Sequence, residues 1–258
     1  MKLTPSLLLL GTLLTSSCSV PSLRVAPRYG TFDMTGDFGI QTGAVSDVPT
    51  ADLETAGVSK DDGFLGVKAE LDIGAPVFTI STQVTDHSGS GVLDTDLSSG
   101  GDSISAGTPV DNDIQFGLHQ FAATFDFVPG DTIDVGLGLG VTVADLNATM
   151  TDGVEILSTD ELLPIPVLAL RGQTVLGRFE ASAMISGMAV ELDGNELQFI
   201  DYEVEARWRL FGGDKHLAGE IGAGYRGVDL SVDFEDDGDS VSADFLLQGP
   251  YVQFAFSF

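Results

Sequence analysis

The sequence is poor in cysteine and in basic residues, and each shortage excludes a class of protein. Cys18 is the only cysteine among the 258 residues, so the chain forms no intrachain disulfide and no cysteine-based metal cluster. Lysine and arginine number 11 against 39 aspartates and glutamates, and the formal net charge is −28. Such a chain lacks the positive charge that attracts phosphate, so nucleic acid is not expected as a partner.

Long apolar runs and the common catalytic motifs are also missing. Beyond the first 14 residues no segment of 18 apolar residues occurs, so no membrane-spanning helix is predicted. The sequence contains no Walker loop, no G-x-S-x-G elbow and no H-E-x-x-H motif. We therefore predict no cofactor, no metal-ligand motif and no catalytic residues.

The N-terminus has the form of an export signal. Met1-Lys2 and the apolar residues up to Leu14 give the basic start and short apolar run of a secretory signal. Thr15 to Cys18 resembles the lipobox of bacterial lipoproteins, although that family prefers Leu where Thr15 stands. Acylation of Cys18 and ordinary cleavage near Ser19 are the two alternatives. We predict a signal peptide at residues 1–19 and a linker at 20–27.

Alternate residues between Ile200 and Phe211 differ in polarity without exception. One set is Ile200, Tyr202, Val204, Ala206, Trp208 and Leu210, and the other is Asp201, Glu203, Glu205, Arg207 and Arg209. A period of two predicts a strand. Its length is close to the roughly 9–11 residues that a tilted strand needs to cross a membrane.

The same alternation recurs in ten segments of the chain. Short turns follow the even-numbered segments, and most odd-numbered segments are followed by long polar loops, at 43–62, 86–113, 146–161 and, rich in acid, 233–239. The alternation changes phase near His119-Gln120, where we predict a β-bulge, and near Arg226-Gly227. Short turns that alternate with long loops, with an even strand count, are typical of outer-membrane barrels.

The last ten residues, Gly249 to Phe258, alternate aromatic residues and end on phenylalanine. They resemble the closing strand of the bacterial outer-membrane β-barrel superfamily, where this strand is the signal read by the insertion machinery. The resemblance implies that Phe254, Phe256 and Phe258 form the membrane-insertion signal. It also implies an outer-membrane location, with the lipid bilayer and that machinery as partners.

We therefore predict an all-β fold, in which residues 28–258 form a porin-like transmembrane antiparallel up-and-down β-barrel of about ten strands. Eight or twelve strands are the alternatives. The apolar faces are expected to meet lipid, and Gly136, Gly138 and Gly140 to make room for long neighbours inside. A soluble exported β-barrel that binds an apolar ligand in its core is the alternative to a membrane protein.

Charged residues of both signs share the polar faces and are expected to pair in the lumen, because unpaired buried charge is costly. The predicted lumen charge network comprises Lys68, Glu70, Asp72, Arg171, Arg178, Glu180, Asp201, Glu203, Glu205, Arg207, Arg209 and Glu220. With about 8 to 10 strands, such side chains fill the lumen and leave no water channel. This indicates a structural, surface-interaction or narrow solute-passage protein.

Two further groups of residues carry alternatives. Asp86-His87 suggests a rim hydrolase similar to the omptin-type proteases, but adjacent residues of a strand point to opposite faces, which separates the pair. Asp94 to Asp96 and Asp233 to Asp239 offer carboxylate oxygens to divalent cations. A well-solvated acidic loop is the alternative for both segments.

Overall fold

The computed structural model describes residues 21–42, 48–58, 61–74, 76–99, 102–128, 130, 132–192, 195–212, 217–236 and 239–258. The predicted signal peptide, with Cys18, lies outside these residues. Among the described residues no helix has the length and hydropathy needed to cross a membrane.

Strands make up most of the described chain. In chain order they are β1 (Ser22–Thr42), β2 (Ala51–Asp52), β3 (Asp61–Asp72), β4 (Pro76–Val92), β5 (Leu97–Ser99), β6 (Asp102–Ile104), β7 (Pro109–Val128), β8 (Ile133–Thr151), β9 (Ile156–Leu176), β10 (Phe179–Leu192), β11 (Asn195–Phe211), β12 (Ala218–Asp236) and β13 (Asp239–Ser257).

Ten long strands form a closed antiparallel ring. Each pairs with the next long strand of the chain, and β13 pairs back onto β1, so the ring order is β1, β3, β4, β7, β8, β9, β10, β11, β12, β13. Strand β2 adds to β1, while β5 and β6 form a separate hairpin. The predicted up-and-down barrel of about ten strands is confirmed.

The two ends of the barrel differ in their connections. One end, called the turn end here, carries the short connections after β3, β7, β9 and β11 and both ends of the described chain. The other, the loop end, carries the remaining connections. The strands there reach further than predicted: β4 runs to Val92 and β8 to Thr151, so the expected loops at 86–113 and 146–161 shrink to 93–108 and 152–155.

Strand β1 also starts earlier than predicted. It begins at Ser22 and pairs with β3 from Ser22↔Asp72 onward, so residues 22–27 belong to the barrel wall and not to a linker. Proline is rare inside sheets, because it has no N–H to donate to a neighbouring strand. Here Pro27 is opposite Val67 on β3, while the pairing of β1 with β13 passes from Val25 directly to Arg28.

Along the wall strands, apolar side chains change from the outer to the inner face. On β12, Ile221 and Tyr225 are exposed on the outside, whereas Val228 and Leu230, past Arg226, are buried inside. The pairing of β12 with both neighbours continues without a register shift at this point. The phase change in the sequence therefore marks a change of surroundings and not a distortion of the strand.

The β-bulge predicted at His119-Gln120 is absent for the same reason. Strand β7 keeps its register through these residues, and its described irregularity lies between Asp126 and Val128. Leu118 is buried inside and Phe121 is exposed outside. Because 118 and 121 have opposite parity, a regular strand places them on opposite faces without an inserted residue.

The apolar face of β1 between Phe32 and Ile40 therefore points inward, not toward lipid as expected. Phe32 and Met34 are fully buried. The outward positions that alternate with them carry Thr31, Asp33 and Thr35. The predicted orientation, apolar outside and charged inside, holds for the turn-end part of the wall. It is inverted toward the loop end.

The outward apolar side chains form a band around the turn-end part of the barrel. On β8 the band runs from Ile133 to Val143, with Leu137 and Leu139 exposed by 55% and 67%. Ten steps of about 3.3 Å, tilted by about 40°, give a height of about 25 Å, which is the apolar height of outer-membrane barrels. A continuous apolar band of this kind argues against the soluble alternative.

Outward aromatic residues lie near the two edges of this band. Going from the turn end toward the loop end, Tyr29 on β1 and Tyr225 on β12 are the last apolar residues on the outer face before polar residues begin. Trp208 lies near the turn end, with half of its surface exposed. Tyr202 is half-buried on the outer face of β11. Amphipathic rings at these positions suit the interface between hydrocarbon and water.

Candidate functional site

The interior of the barrel has two zones, and the first is a group of ion pairs in the turn-end half. Strand β11 contributes its centre, because its odd-numbered residues point inward: Glu203, Glu205 and Arg207 are all buried. We call the linked side chains the charged plug. Its members are Arg24, Arg28, Lys68, Glu70, Glu180, Glu203, Glu205, Arg207 and Glu220.

Short contacts join strands across the lumen. Arg28 on β1 reaches Glu203 at 2.6 Å and Glu205 at 2.8 Å on β11. Lys68 on β3 reaches Glu203 at 2.7 Å, and Arg207 reaches Glu205 at 2.6 Å. Arg207 also pairs with Glu180 on β10. Every carboxylate here faces more than one cation, which offsets the cost of burying it.

Charge balance follows from the remaining contacts. Arg24 bonds Glu70 at 3.0 Å and Glu180 at 2.9 Å and lies 3.3 Å from Glu220. Arg209 approaches Glu220 at 3.7 Å from the edge of the plug. The five carboxylates of the plug are therefore matched by its four cations and Arg209. A closed barrel with matched internal charge needs no permeating counterion.

Two other predicted network residues belong to separate pairs. Arg171 contacts Asp126 at 2.6 Å and Asp134 at 2.8 Å near the turn end. Asp201 contacts Arg226 at 2.7 Å at the other side of the plug. Arg226 also donates to Gln83 at 2.7 Å, which ties β12 to β4 across the lumen.

Asp72 and Arg178 do not join the plug. Asp72 ends β3 and Arg178 lies in the turn between β9 and β10, and both are exposed. Their place at the ends of strands, where the lumen meets water, removes them from the ion pairs. Alternation along a strand gives the direction of a side chain but not its depth.

Two plug residues, Arg24 and Arg28, are missing from the predicted network. Arg24 fell in the predicted linker, although it alternates with Leu23 and Val25 as the rest of the wall does, and Arg28 is the first residue of the predicted barrel. Tyr251 donates its hydroxyl to Glu205 at 3.0 Å, and the guanidinium of Arg28 lies 4.7 Å from its ring centre. Extending the alternation back to residue 22 would have found both arginines.

The second zone is an apolar chamber in the loop-end half, lined by the inward side chains beyond the polarity change. Its buried members include Phe32, Phe64, Phe116, Ile165, Phe199, Leu230 and Phe245. Rings of Phe32 and Phe64 stack with their centres 4.4 Å apart. The chamber and the charged plug follow each other along the barrel axis.

The β5–β6 hairpin lies across the mouth of the chamber. It contacts β1 and β9, which are five strands apart in either direction around the ring and thus stand opposite each other. Leu97 and Ile104 of the hairpin are buried with Leu93 and Val110 beneath them. The hairpin therefore covers the chamber with an apolar underside.

A cavity of about 40 Å³ remains between this hairpin and the chamber wall. Its lining is almost wholly apolar and includes Phe38, Ile40, Leu53, Leu97, Ile114, Leu146, Ala148, Met150, Leu157 and Phe245. A cavity needs about 10–15 Å³ of such volume to hold one water molecule, and a cavity of about 150 Å³ binds benzene, so a ligand with a ring fits here only when the surrounding side chains move apart.

Five polar residues also line the cavity, and Asn112 is the buried one among them; the others are Ser99, Thr149, Ser158 and Thr159. Nδ2 of Asn112 donates to the carbonyl of Ala56, whereas its buried Oδ1 accepts no hydrogen bond from the described part of the chain. A buried acceptor without a donor is costly. A bound molecule with one hydroxyl or amine group would satisfy it.

Asp86 and His87 occupy opposite faces of β4, as their adjacency predicts. Asp86 is exposed outside and accepts a hydrogen bond from Gln115 at 2.7 Å, while His87 is buried inside, 3.0 Å from the Thr85 hydroxyl. His119 bonds the Thr82 hydroxyl at 2.6 Å. These contacts do not bring a carboxylate and an imidazole together.

The residues of the predicted insertion signal lie on the outer face of β13. Phe256 and Phe258 are exposed, and the half-buried Phe254 meets Phe256 edge-on with ring centres 4.9 Å apart. Their partners on the inner face, Gln253 and Ala255, are buried. The strand thus offers its aromatic face to lipid; its role as a signal stays a prediction.

The outer surface at the loop end is acidic. Asp37 lies opposite Asp52 and Asp244 on the neighbouring strands, and partial burial together with these like charges raises the pKa of Asp37. Asp96 accepts the backbone N–H of Ala106 at 2.7 Å. Among the described residues no group of three or more histidine, cysteine, aspartate or glutamate side chains is placed to hold a metal ion.

Comparisons with known proteins show the fold. No family model and no curated protein matches the chain. Outer membrane protease OmpT from Escherichia coli is similar over 91% of this chain and 97% of its own, with a TM-score of 0.53 and 7% identity. OprG from Pseudomonas aeruginosa is similar over 93% of this chain and 96% of its own, with a TM-score of 0.38 and 11% identity. Neisserial surface protein A is similar over 91% of this chain and 99% of its own, with a TM-score of 0.30 and 10% identity.

The protein therefore has the fold of the bacterial outer-membrane β-barrels, the class that its closing strand resembles. A ring of ten long strands, the likeness to OmpT over nearly the full length of both chains, and the outward apolar band all support this assignment. The fold and the band together agree with the predicted outer-membrane location. At 7% identity, the likeness says nothing about activity.

Proposed function

We propose that the protein is a narrow-passage outer-membrane barrel that takes up a small, mainly apolar molecule from outside the cell. The observation that carries the proposal is the apolar cavity of about 40 Å³ beneath the β5–β6 hairpin. The long connections of outer-membrane barrels face the outside, so this cavity would be the first internal site that a solute reaches.

The charged plug supports this proposal over a water-filled pore. Arg28, Lys68 and Arg207 link β1, β3 and β11 across the lumen, and all three are buried. Such a barrier opposes ions, since moving through it requires breaking buried ion pairs. An apolar molecule held above the plug does not need to cross it.

Asn112 supports a ligand with one hydrogen-bond donor. Pockets commonly combine an apolar lining with a few polar groups that orient the ligand. Asn112 lines the cavity, and its buried Oδ1 has no donor in the described chain. A phenol-like molecule, with an apolar ring and one hydroxyl, fits this combination better than a hydrocarbon.

The experiment compares binding of p-cresol and toluene to the folded, detergent-solubilised protein by equilibrium dialysis. We expect Ala148→Phe, which fills the cavity, to weaken p-cresol binding at least tenfold. Ala181→Phe adds the same ring to the outer face of β10 and should leave binding unchanged. Equal binding by the two variants would contradict the proposal.

A third variant tests the polar contact. Asn112→Leu should reduce the preference for p-cresol over toluene by about fivefold, because a net hydrogen bond contributes about 1 kcal/mol. If the variant keeps the full preference for p-cresol, Asn112 does not contact the ligand, although the cavity can still bind it.

Proteolysis, the activity named for OmpT, is not proposed here. Asp86 and His87 face opposite sides of β4, and Asp86 is bonded to Gln115 outside the barrel. A general base needs to lie within hydrogen-bond reach of the group that it activates. Asp86 and His87 therefore do not form such a pair with each other.

A further inference from the structure

The ladder between β9 and β10 ends before either strand does. Its pairs run from Phe179↔Leu176 at the turn end to Gly187↔Leu168. Beyond that point β9 continues to Ile156, paired only with β8, and β10 continues to Leu192, paired only with β11. We call the unpaired edges, residues 162–167 of β9 and 188–191 of β10, the β9–β10 seam.

Two prolines explain why the ladder stops. Val175 donates its backbone N–H to the Thr132 carbonyl at 2.8 Å, on the β8 side. Successive N–H groups of a strand point to opposite sides, and β9 keeps its register, so positions 164 and 166 face β10. Pro164 and Pro166 have no N–H to donate there.

The prolines also make the seam tolerable in a membrane. An unpaired backbone N–H in hydrocarbon costs several kcal/mol, and a barrel normally avoids it by pairing every edge. Pro164 and Pro166 remove two such donors from the open edge, and they keep their pairing with Val143 and Val141 of β8. The seam is therefore encoded by the sequence and is not a loose end of a ladder.

Apolar side chains line the seam on the inner face of the wall. There, Ile165 and Leu163 of β9 and Met188 of β10 belong to or pack against the core of the apolar chamber. On the outer face, Pro166 is exposed beside Val141, at the loop-end edge of the outward band, and Glu191 of β10 is exposed as well. No ladder of paired residues joins the described parts of β9 and β10 at this place.

We propose that the β9–β10 seam is a lateral exit, through which a small apolar molecule moves between the chamber and the outer part of the membrane. The charged plug blocks the axial route below the chamber, whereas no ladder of paired residues holds the described parts of β9 and β10 together at the seam. The identity of the molecule rests on the proposed function; the exit itself rests on the pairing and the prolines.

The first test measures access of lipid-dissolved oxygen to a nitroxide, without any solute. The label is attached to Leu163→Cys, inside the wall at the seam, or to Leu146→Cys, inside the same chamber on β8, which is paired on both sides. In lipid vesicles we expect oxygen accessibility at 163 to exceed that at 146 severalfold. Equal values at the two positions would overturn the lateral exit.

The second test closes the seam. Pro166→Cys and Ala189→Cys stand two pairs beyond Gly187↔Leu168 in the continued register, and a cleavable bismaleimide joins them. The matched control joins Ala189→Cys to Gln198→Cys across the paired β10–β11 ladder. Release of bound p-cresol into vesicles should slow at least fivefold only in the seam crosslink, and recover on cleavage.

The outcomes separate the two proposals. Release at the same rate from the crosslinked seam would overturn the exit even if p-cresol binds. If p-cresol does not bind but oxygen reaches the label at 163, the proposed ligand is wrong and the lateral exit is still supported.

Discussion

Gly138 lies where strands β7 and β8 come closest. A Cβ atom at this position would lie 1.9 Å from the backbone carbonyl oxygen of Ala123, and at Gly140 it would lie 2.4 Å from that of Phe121. The glycine face of β8 was expected to accommodate long side chains, but at these two positions it accommodates the backbone of the neighbouring strand. Glycine is required because backbone atoms have little freedom to move away.

Gly138→Ala should therefore destabilise the barrel, by about 1–3 kcal/mol as for overpacked cores. Gly172→Ala is the control, because a Cβ there meets nothing within 4 Å. Urea unfolding of both variants in detergent measures the difference in the free energy of unfolding. Equal stability of the two variants would show that β7 can move aside.

Arg207 is the residue on which most of the charged plug depends. Its guanidinium contacts Glu205, Glu70 and Glu180 from β11, β3 and β10. Removing it leaves buried carboxylates without their partner.

Arg207→Met keeps the length of the side chain but removes its charge, and should destabilise the protein by about 3–5 kcal/mol. Arg178→Met, at an exposed turn, should change the free energy of unfolding by less than about 0.5 kcal/mol. Urea unfolding at neutral pH checks both values. A small effect of the first variant would mean that water reaches the plug.

At the scale of the element, each strand carries a boundary between two environments. Strand β12 shows it within a few residues: Ile221 faces outward in the apolar band, Arg226 faces the plug, and Asp229 faces outward beyond the band. The pattern of polarity inverts there while the pairing continues.

Nitroxides at Ile221 and Asp229 should report this boundary in lipid vesicles. Both positions have the same parity and face outward, so a difference between them reflects height and not direction. We expect oxygen to reach the label at 221 and a water-soluble nickel complex to reach the label at 229. Similar accessibilities would mean that the band does not end near Tyr225.

At the scale of the whole molecule, the ring of strands encloses two side-chain zones in place of a pore. The plug closes the turn-end half, and the β5–β6 hairpin covers the loop-end half. Barrels of about this strand number are filled by side chains, and water channels occur at 16–18 strands.

The reconstituted protein should therefore show no stable open-channel conductance in planar lipid bilayers. Heat-modifiable migration on a detergent gel provides the control that the barrel is folded. Long-lived conductance steps from folded protein would contradict a sealed lumen and favour a porin.

The sequence by itself determined the strands and the shared face of Glu203, Glu205 and Arg207, because side chains of a strand alternate between two faces. The closed antiparallel ring was predicted from the alternation of short turns with long loops and from the resemblance of the closing strand. Only the tertiary structure decided which face meets lipid at each height, since the same apolar residue suits a bilayer outside or a core inside. It also decided the seam, because Pro164 and Pro166 reveal their role only once the side of the strand that each faces is known.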